Sequence, residues 1–284
     1  MTDRALVIDR NNFYTIAYWS AIKKKKLGYL PIRFFEKINE AYNSRKGGFT
    51  FLFIAWDSRV NNRKIENPMY KANRSPKPDD FYEMMPYVLD VLTMREVQQY
   101  NVEGFEGDDI IYSVVEMCKE KGYSVTVSSA DHDMYQLIDK DKDIDIYDPR
   151  TGITINYDKF IEKYKIEPFR WKFVKSMMTD KSDNVFGVKG IGPKNAVDII
   201  MKYNDLDTLY ASDMSKLSKS IKEKLTSTGA DGFSAKKSAY DSLKMVEFRK
   251  VELPYPSLAL INPVKINQSI YVEYEEWIKK DILN

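Results

Sequence analysis

Acidic residues occur in this chain as small groups that each follow an apolar, strand-like run or adjoin a predicted helix. The nine positions are Asp9, Asp57, Glu106, Asp108, Asp109, Asp131, Asp133, Asp180 and Asp183. Because ligands of an open α/β sheet gather at the carboxyl ends of its strands, we expect these carboxylates to share one basin. Charge repulsion and desolvation would make such a basin costly unless divalent cations neutralised it.

The side chains available as ligands indicate which metal would bind. Oxygen ligands favour Mg²⁺ or Mn²⁺ over zinc, and two hard cations held close together indicate phosphoryl chemistry on a nucleic acid. Cys118, which we expect in the core, and His132 are the only cysteine and histidine. This count excludes zinc sites rich in those residues and disfavours a Ser-His-Asp triad. Extended backbone would point Asp131 and Asp133 the same way and His132 away from them.

Two of the acidic groups also have purely structural explanations. Residues 106–109 open a predicted helix, where the helix dipole favours carboxylates without any metal. Glu106 and Asp108 can both face the basin only if Glu106 lies at or before the N-cap. Asp180 and Asp183 are spaced so that one helical turn would place them on one face, and an ordinary turn at a helix end is the alternative.

Three segments carry positive charge or exposed backbone that could contact phosphate. Residues 58–80 form a long basic insertion with several prolines and little to bury, as is typical of functional or mobile segments. Lys23 to Lys26 is a solvated loop or, alternatively, a phosphate contact. In the glycine hairpin, residues 187–196, Gly190 and Gly192 would expose N–H groups beside a helix N-terminus, where phosphate can bind. A tight turn between helices is the alternative there.

The composition bounds the class of protein. The chain has 284 residues, 43% of them hydrophobic, and a net charge of only +2. If the acidic groups collect at one site, the remaining surface has a basic excess that permits nucleic-acid binding. No apolar run approaches about 18 residues, and no signal peptide is visible. Together with the single cysteine, these features predict a reducing, cytoplasmic location without a membrane partner.

Hydrophobic periodicity predicts alternating strands and helices. Strands are expected at residues 4–9, 49–56, 123–128 and 144–147, and helices at 12–22, 31–46, 79–96, 105–121 and 133–139. This alternation predicts an α/β fold with a doubly wound, mostly parallel central sheet. After about residue 158 helices dominate, so we expect an α/β core at 1–157 and a helical region at 158–284.

Four segments in this order resemble the 5′-nuclease or flap endonuclease family, which includes the 5′-nuclease domain of bacterial DNA polymerase I and stand-alone phage exonucleases. They are residues 70–80 (YKANRSPKPDD), 104–109 (GFEGDD), 128–134 (SSADHDM) and 180–184 (DKSDN), the last of which runs into the glycine hairpin. The resemblance covers about residues 4–255 and implies a PIN-like core. With no room for a polymerase domain, the chain is expected to be the stand-alone, phage-type form.

The resemblance also implies the metal ligands. It places Asp9, Asp57, Glu106 and Asp108 at a first site, and Asp131, Asp133, Asp180 and Asp183 at a second, with Asp108 near both and Asp109 in support. Two Mg²⁺ ions are implied, with Mn²⁺ able to substitute. The chain departs from the family pattern at Ala130 and Thr179, where relatives often carry glycine.

Further roles follow from the same resemblance. Lys71 and Arg74 match a basic pair on a helical arch, here about residues 58–100, that points at the scissile phosphate. With Asp108 they are the implied catalytic residues. Tyr70 matches an aromatic that stacks on a terminal base, and Arg63 or Lys64 is a candidate for a further arch cation.

The glycine hairpin matches the family's helix-hairpin-helix, here about residues 170–203. That element grips duplex backbone, which implies DNA contacts by Lys189, Gly190, Gly192 and Lys194, and it often holds a K⁺ ion.

The expected function is therefore a Mg²⁺-dependent, structure-specific 5′ nuclease, acting as flap endonuclease and 5′-3′ exonuclease in replication, repair or primer removal. Its expected partner is DNA with a 5′ flap or 5′ end, with an RNA–DNA hybrid as a further substrate, and the protein is expected to be monomeric. Two alternatives remain open at this point. One is a metal-dependent ribonuclease of PIN-like fold, and the other is a non-catalytic, structure-specific DNA-binding protein.

Overall fold

The computed structural model describes residues 3–94, 97–229 and 232–254. Within them the sheet has six strands in the order β3-β2-β1-β4-β5-β6. The strands are β1 Arg4–Asp9, β2 Phe51–Ala55, β3 Gln98–Tyr100, β4 Ser124–Ser128, β5 Ile144–Asp148 and β6 Ile153–Ile155. All neighbours pair in parallel except β5 with β6. The predicted doubly wound, mostly parallel α/β fold is confirmed.

The central strand β1 shows why this sheet forms. Its register pairs Ala5 with Phe51 of β2 and with Val125 of β4. Every residue of β1 is buried, as expected for a strand covered on both faces. Because successive side chains alternate, Ala5 and Val7 join one hydrophobic core while Leu6 and Ile8 join the other. Each face of the sheet therefore has its own layer of helices.

Some helices pack around this sheet, and the others follow its last strand along the chain. They are α1 Arg10–Lys23, α2 Leu30–Tyr42, α3 Asn62–Glu66, α4 Asp79–Glu83, α5 Met85–Met94, α6 Gly107–Glu120, α7 Tyr157–Tyr164, α8 Trp171–Met177, α9 Pro193–Tyr203, α10 Leu206–Ala211, α11 Lys219–Thr226 and α12 Ala235–Val246. Short 3₁₀ helices cover Leu27–Tyr29, His132–Leu137 and Pro168–Arg170. In the described part beyond β6 the regular elements are helical, as predicted.

Several predicted elements differ in detail. The helix expected over 79–96 is interrupted at Met84, so that α4 and α5 are separate, and residues 95–96 lie outside the described ranges. The three-residue strands β3 and β6 are too short to give a periodic signal. Cys118 is fully buried, as expected. The part of the predicted helical region beyond residue 254 lies outside the described residues.

The segment between α8 and α9 contains the glycine hairpin. A Cβ atom on Gly187 would lie 2.5 Å from backbone atoms of Met177, so glycine permits the close approach of the hairpin to α8. Gly190 adopts φ +80°, and Gly192 is the N-cap residue of α9. In the described ranges, none of the helices combines the length and the apolar character needed to span a membrane.

Candidate active site

The carboxyl ends of the central strands place the first carboxylates. Asp9 is the last residue of β1, and its Oδ1 accepts a hydrogen bond of 3.0 Å from the Asn12 N–H at the start of α1. Its Oδ2 accepts one of 2.7 Å from the Ser129 hydroxyl, directly after β4. The two bonds fix the Asp9 carboxylate between the ends of two neighbouring strands.

Asp57 lies just past β2 and meets the start of α6. Its Oδ1 accepts a hydrogen bond of 2.7 Å from the N–H of Gly107, the first residue of α6. Glu106 precedes it as the N-cap residue with extended backbone, φ −85° and ψ 159°. That conformation is the one required for Glu106 and Asp108 to face the same basin. A single cleft is lined by Glu106, Asp108, Asp133, Asp180 and Asp183.

The pKa values of three carboxylates show that they lie close together in a poorly solvated place. Burial, with the charges of Asp57 and Asp131, raises the pKa of Asp9 to about 6. Burial, followed by the charges of Asp131 and Asp9, raises the pKa of Asp108 well above its usual value. The pKa of Asp133 rises to about 7 through burial and the charge of Asp131, despite the opposing charge of Lys175. The structure thus brings both predicted groups of ligands into one negative basin.

Glu106 is held by the first part of the predicted arch region, residues 61–71. Its Oε1 accepts hydrogen bonds from Asn61 Nδ2, at 2.8 Å, and from Lys71 Nζ. Its Oε2 accepts from the Tyr70 hydroxyl, at 2.9 Å, and lies 3.3 Å from Arg63 Nη1. Burial alone would raise the pKa of Glu106, but Lys71 and Arg63 hold it below its usual value.

Lys71 and Arg74, the predicted arch cations, lie over the carboxylates. Lys71 Nζ pairs with Glu106 and lies 3.9 Å from Asp183 Oδ2. Arg74 pairs with Asp183, and its Nε donates a hydrogen bond of 3.2 Å to the Ser182 carbonyl. The Lys71 N–H also donates to the Asp183 carbonyl at 2.8 Å. Two cations therefore lie beside the carboxylates of the cleft and pair with them.

The Asp180 turn differs from the helical turn predicted for it. Asp180 and Val185 form an isolated β-bridge that closes a tight turn. Asp180 Oδ1 accepts hydrogen bonds from the N–H groups of Ser182, at 2.9 Å, and Asp183, at 3.2 Å. The side chains of Asp180 and Asp183 still reach the same cleft, because the turn is as compact as a helical one. Asp131 is extended, as expected, but it caps a 3₁₀ helix that begins at His132, so residues 132–133 are not extended.

Lys175, on α8, was missed by the sequence-based analysis. Its Nζ lies 2.7 Å from Asp133 Oδ1 and 3.4 Å from Asp180 Oδ2. No local sequence pattern indicates this role, because the group that a helical lysine side chain reaches depends on how its helix packs. Here α8 packs against the 3₁₀ helix that starts at His132.

Three predicted roles require correction. Asp109 does not face the basin: it is fully buried and receives the Arg63 guanidinium on both of its oxygens. Arg63 is 3% exposed, so it is not an exposed arch cation, whereas Lys64 is exposed. Tyr70 is 4% exposed with its hydroxyl on Glu106, and in this position its ring is not available to stack on a terminal base. Arg63 and Asp109 are buried against each other through their ion pair, and Tyr70 is buried in a cluster with Val185 and Met245.

The donor set fits divalent cations. It consists of carboxylate oxygens, the ligands that Mg²⁺ and Mn²⁺ prefer. Burial and mutual repulsion disfavour the charged forms of Asp9, Asp108 and Asp133, and a bound cation would offset both effects. In the described portion of the chain, no three Asp, Glu, His or Cys side chains lie close enough together to hold one ion. Lys71 and Lys175 instead each bridge two of the carboxylates. The division into two metal sites therefore stays a prediction.

The glycine hairpin presents a surface suited to phosphate. Lys189, Gly190 and Lys194 are exposed. Gly192, the N-cap residue of α9, has no side chain to cap the helix, and the first-turn N–H groups of a helix have no partner within it and can bind an anion. The Gly190 carbonyl accepts a hydrogen bond of 3.2 Å from Lys224 Nζ, which adds a further cation beside the hairpin.

Comparison with known families gives two matches. Residues 4–165 match the family described as 5′-3′ exonuclease, N-terminal resolvase-like domain, and residues 166–241 match 5′-3′ exonuclease, C-terminal SAM fold. DNA polymerase I of Caldicellulosiruptor bescii is 34% identical over 186 residues, 62% of this chain and 21% of that protein. The thermostable DNA polymerase I of Thermus aquaticus is 33% identical over 156 residues, 55% of this chain and 18% of that protein. The chain thus spans about a fifth of the length of these relatives.

Solved structures share the fold. A flap endonuclease of bacteriophage T5, in a complex with DNA and metal ions, superposes with a TM-score of 0.68 at 16% identity and covers 98% of both chains. The catalytic core of Rad2 in complex with a DNA substrate gives a TM-score of 0.54 at 11% identity, covering 100% of this chain and 93% of the other. At these identities the likeness shows the fold alone.

Proposed function

This chain belongs to the 5′-3′ exonuclease family, and we propose that it is a structure-specific 5′ nuclease that hydrolyses phosphodiesters near junctions of single- and double-stranded DNA. The observation that carries the proposal is the basin where Asp9, Asp108 and Asp133 meet with raised pKa values. Lys71 and Arg74 lie over that basin. A partly buried cluster of negative charge beside two cations suits the binding of metal ions and a phosphate in one place.

We assign the metal ligands as two groups, with Mg²⁺ as the proposed ion and Mn²⁺ as a substitute. Asp9, Asp57, Glu106 and Asp108 would hold the first ion, and Asp131, Asp133, Asp180 and Asp183 the second. Such ions, when bound, activate water as the nucleophile and stabilise charge on the leaving oxygen. The bacteriophage T5 flap endonuclease shares the fold, and its structure contains metal ions and DNA, which supports metal binding in general. The division of residues between the two ions rests on the resemblance in sequence.

The residues of the chain itself have distinct tasks in this scheme. Lys71 and Arg74 would exchange their carboxylate partners for oxygens of the scissile phosphate and stabilise its charge during reaction. Ser129 and Asn12 hold the Asp9 carboxylate in place through its two hydrogen bonds. Lys175 keeps Asp133 and Asp180 together. No covalent intermediate is needed.

The proposed substrates are DNA with a 5′ flap or 5′ end and RNA–DNA hybrids with a 5′ RNA end. Lys189, Gly190, Gly192 and Lys194 would grip duplex backbone, with K⁺ bound at the hairpin, while the arch region at about 58–100 would take the single strand. We further propose a monomeric, cytoplasmic enzyme with its α/β core at 1–157 and its helical DNA-binding region at 158–284.

A cleavage assay tests the function. The wild-type protein is incubated with a labelled 5′-flap duplex and, separately, with single-stranded RNA of the flap sequence, each with Mg²⁺ and with EDTA. We expect Mg²⁺-dependent cleavage of the flap substrate near its junction. Cleavage confined to the RNA would favour a PIN-like ribonuclease, and duplex binding without any cleavage would favour a non-catalytic DNA-binding protein.

A further inference from the structure

Arg63 joins a predicted metal ligand to a buried carboxylate outside the basin. Its Nη1 lies 3.3 Å from Glu106 Oε2, and the same guanidinium makes a two-point ion pair with Asp109, including 2.7 Å from Nη2 to Oδ1. Exposure is 3% for Arg63, 5% for Glu106 and 0% for Asp109. One cation is therefore shared by two carboxylates in the interior, where an unpaired charge would be strongly disfavoured.

The same ion pair is tied to the segment that follows α12, the strap at residues 247–251. Arg63 Nη2 donates a hydrogen bond of 2.9 Å to the Glu247 carbonyl, and the Arg249 N–H donates one of 2.8 Å to Asp109 Oδ1. The Val251 N–H donates to the Ser113 hydroxyl, at 2.8 Å, one turn further along α6. Arg63 and Asp109 thus lie where α3, the start of α6 and the strap meet.

The contacts at this junction match the shape of an arginine side chain. The planar guanidinium presents its N–H groups in a fixed fork, so it can hold both Asp109 oxygens and still reach Glu106 and the Glu247 carbonyl. A lysine ammonium would keep the charge but could not hold these groups in one fixed arrangement. The residue therefore fixes orientation as well as charge.

We propose that Arg63 is a positioning residue, anchored by Asp109, that fixes the Glu106 carboxylate for metal binding and couples the base of the arch to the metal site. The inference rests on the proposed function, because it assigns Glu106 to the first metal site. Residues 61–71 supply four contacts to Glu106, through Asn61, Arg63, Tyr70 and Lys71. A cation that binds Glu106 must therefore change the contacts of residues 61–71, the segment at the base of the arch.

The first test measures metal binding without DNA. Mg²⁺ titrations of wild type, Arg63→Lys and Asp109→Asn are followed by thermal denaturation and calorimetry, and cleavage of a 5′-flap substrate is measured over the same Mg²⁺ range. Changes in residues that orient metal ligands typically weaken metal affinity by about 10–100-fold. We expect a shift of that size for Asp109→Asn, although Asp109 lies outside the basin, and excess Mg²⁺ should restore most of the cleavage rate.

Glu66→Gln is the matched control. Glu66 holds Arg249 of the same strap through an exposed pair at 2.7 Å. Within the described structure, Arg63 acts on Glu66 through its charge, and its ion pairs are with Glu106 and Asp109. This variant should bind Mg²⁺ as the wild type does. If Asp109→Asn and Arg63→Lys also keep the wild-type Mg²⁺ affinity, or if excess Mg²⁺ restores no cleavage to a folded variant, the positioning role is wrong.

Amide hydrogen exchange of the wild type gives a test that does not need the variants to fold. Mg²⁺ should slow exchange at residues 61–71 by about tenfold or more, as expected for a segment coupled to the metal site. Unchanged exchange there, with Mg²⁺ bound by calorimetry, would overturn the coupling. Failure of the proposed function is recognised separately, since it would appear as absence of flap cleavage by the wild type at every Mg²⁺ concentration.

Discussion

Lys175 and Asp133 form an ion pair beside the candidate site, with 2.7 Å between Lys175 Nζ and Asp133 Oδ1. Asp180 Oδ2 lies 3.4 Å from the same ammonium group. Burial alone would lower the pKa of Lys175, but the two carboxylates raise it above its usual value, so Lys175 is charged at neutral pH. A divalent cation at the proposed second site would have to share Asp133 and Asp180 with this lysine.

Replacing Lys175 with methionine should make the metal-free protein less stable. The change leaves Asp133 with the repulsion of Asp131 and without its ammonium partner. We expect the free energy of unfolding in EDTA to fall by about 1–3 kcal/mol. Mg²⁺ should then raise the melting temperature more than it does in the wild type, because it replaces the lost charge.

Thermal denaturation in EDTA and in Mg²⁺ measures both effects, with Lys172→Met as the control. Lys172 lies on the same helix and pairs with Glu247, whose side chain is 47% exposed. Exposed pairs contribute little, so this variant should lose less than about 1 kcal/mol. Equal losses in the two variants would show that the Lys175 pair has no special importance.

The raised pKa values of Asp9 and Asp133 should make the metal-free protein less stable as the pH rises. In the folded protein these pKa values are about 6 and about 7, against an ordinary value of 3.8 for an aspartate. The folded state therefore holds more protons than the unfolded state, and the associated stability is lost as the pH rises through the folded pKa values. Asp9 contributes about one pKa unit and Asp133 about two over this range, so we expect a decrease on the order of 4 kcal/mol between about pH 5 and about pH 8 in EDTA.

Chemical denaturation at several pH values checks this expectation. Mg²⁺ should flatten the dependence, since metal binding favours the charged carboxylates. Asp9→Asn should flatten it in EDTA as well, because the amide does not titrate. A wild-type profile in EDTA that is level over this range would contradict the existence of a strained cluster of carboxylates.

The placement of the first carboxylates could be predicted from the sequence because it depends on strand ends. The apolar runs before Asp9 and Asp57 are long enough to identify β1 and β2, and parallel pairing then brings their carboxyl ends together. For Glu106 only a condition could be stated: it shares the basin with Asp108 if it lies at or before the N-cap, whereas the helix expected over residues 105–121 would include it.

Residues whose roles depend on packing between distant elements could not be assigned in this way. Asp109 adjoins Asp108 in the chain, yet one faces the cleft and the other the interior, because successive helical residues point about 100° apart. Arg63 looks like an ordinary basic residue of a polar insertion until α3 packs beside α6. Its partner Asp109 lies 46 positions away along the chain, beyond the reach of any local pattern.

Asp131→Asn should abolish cleavage and leave duplex binding largely intact. The asparagine keeps the oxygen that accepts the Asp133 N–H at 2.9 Å, so the start of the 3₁₀ helix is preserved while one negative charge is lost. We expect at least about 100-fold slower cleavage, the size of effect seen when one preorganised electrostatic group is removed. Cleavage and fluorescence anisotropy on one labelled 5′-flap duplex measure the two properties.

His132→Gln is the control for Asp131→Asn. His132 stacks on Tyr135, with ring centroids 4.9 Å apart, so it points away from the carboxylates that flank it. The variant should cleave at close to the wild-type rate. Loss of duplex binding together with cleavage in Asp131→Asn would instead mean that Asp131 supports the structure.

The double variant Lys189→Ala/Lys194→Ala should weaken duplex binding through the loss of two phosphate contacts. Each lysine that neutralises a phosphate contributes about one to the slope of log affinity against log salt, so the slope should fall by about two. Cleavage at saturating substrate should change little, because both side chains lie on the glycine hairpin and are exposed.

Lys140→Ala/Lys142→Ala is the matched control. Both are exposed lysines just before β5, at the N-terminal end of the parallel strands, opposite the end that carries the carboxylates. Binding isotherms from about 50 to about 200 mM salt decide the matter, since a nonspecific charge effect would lower the slope equally in both double variants.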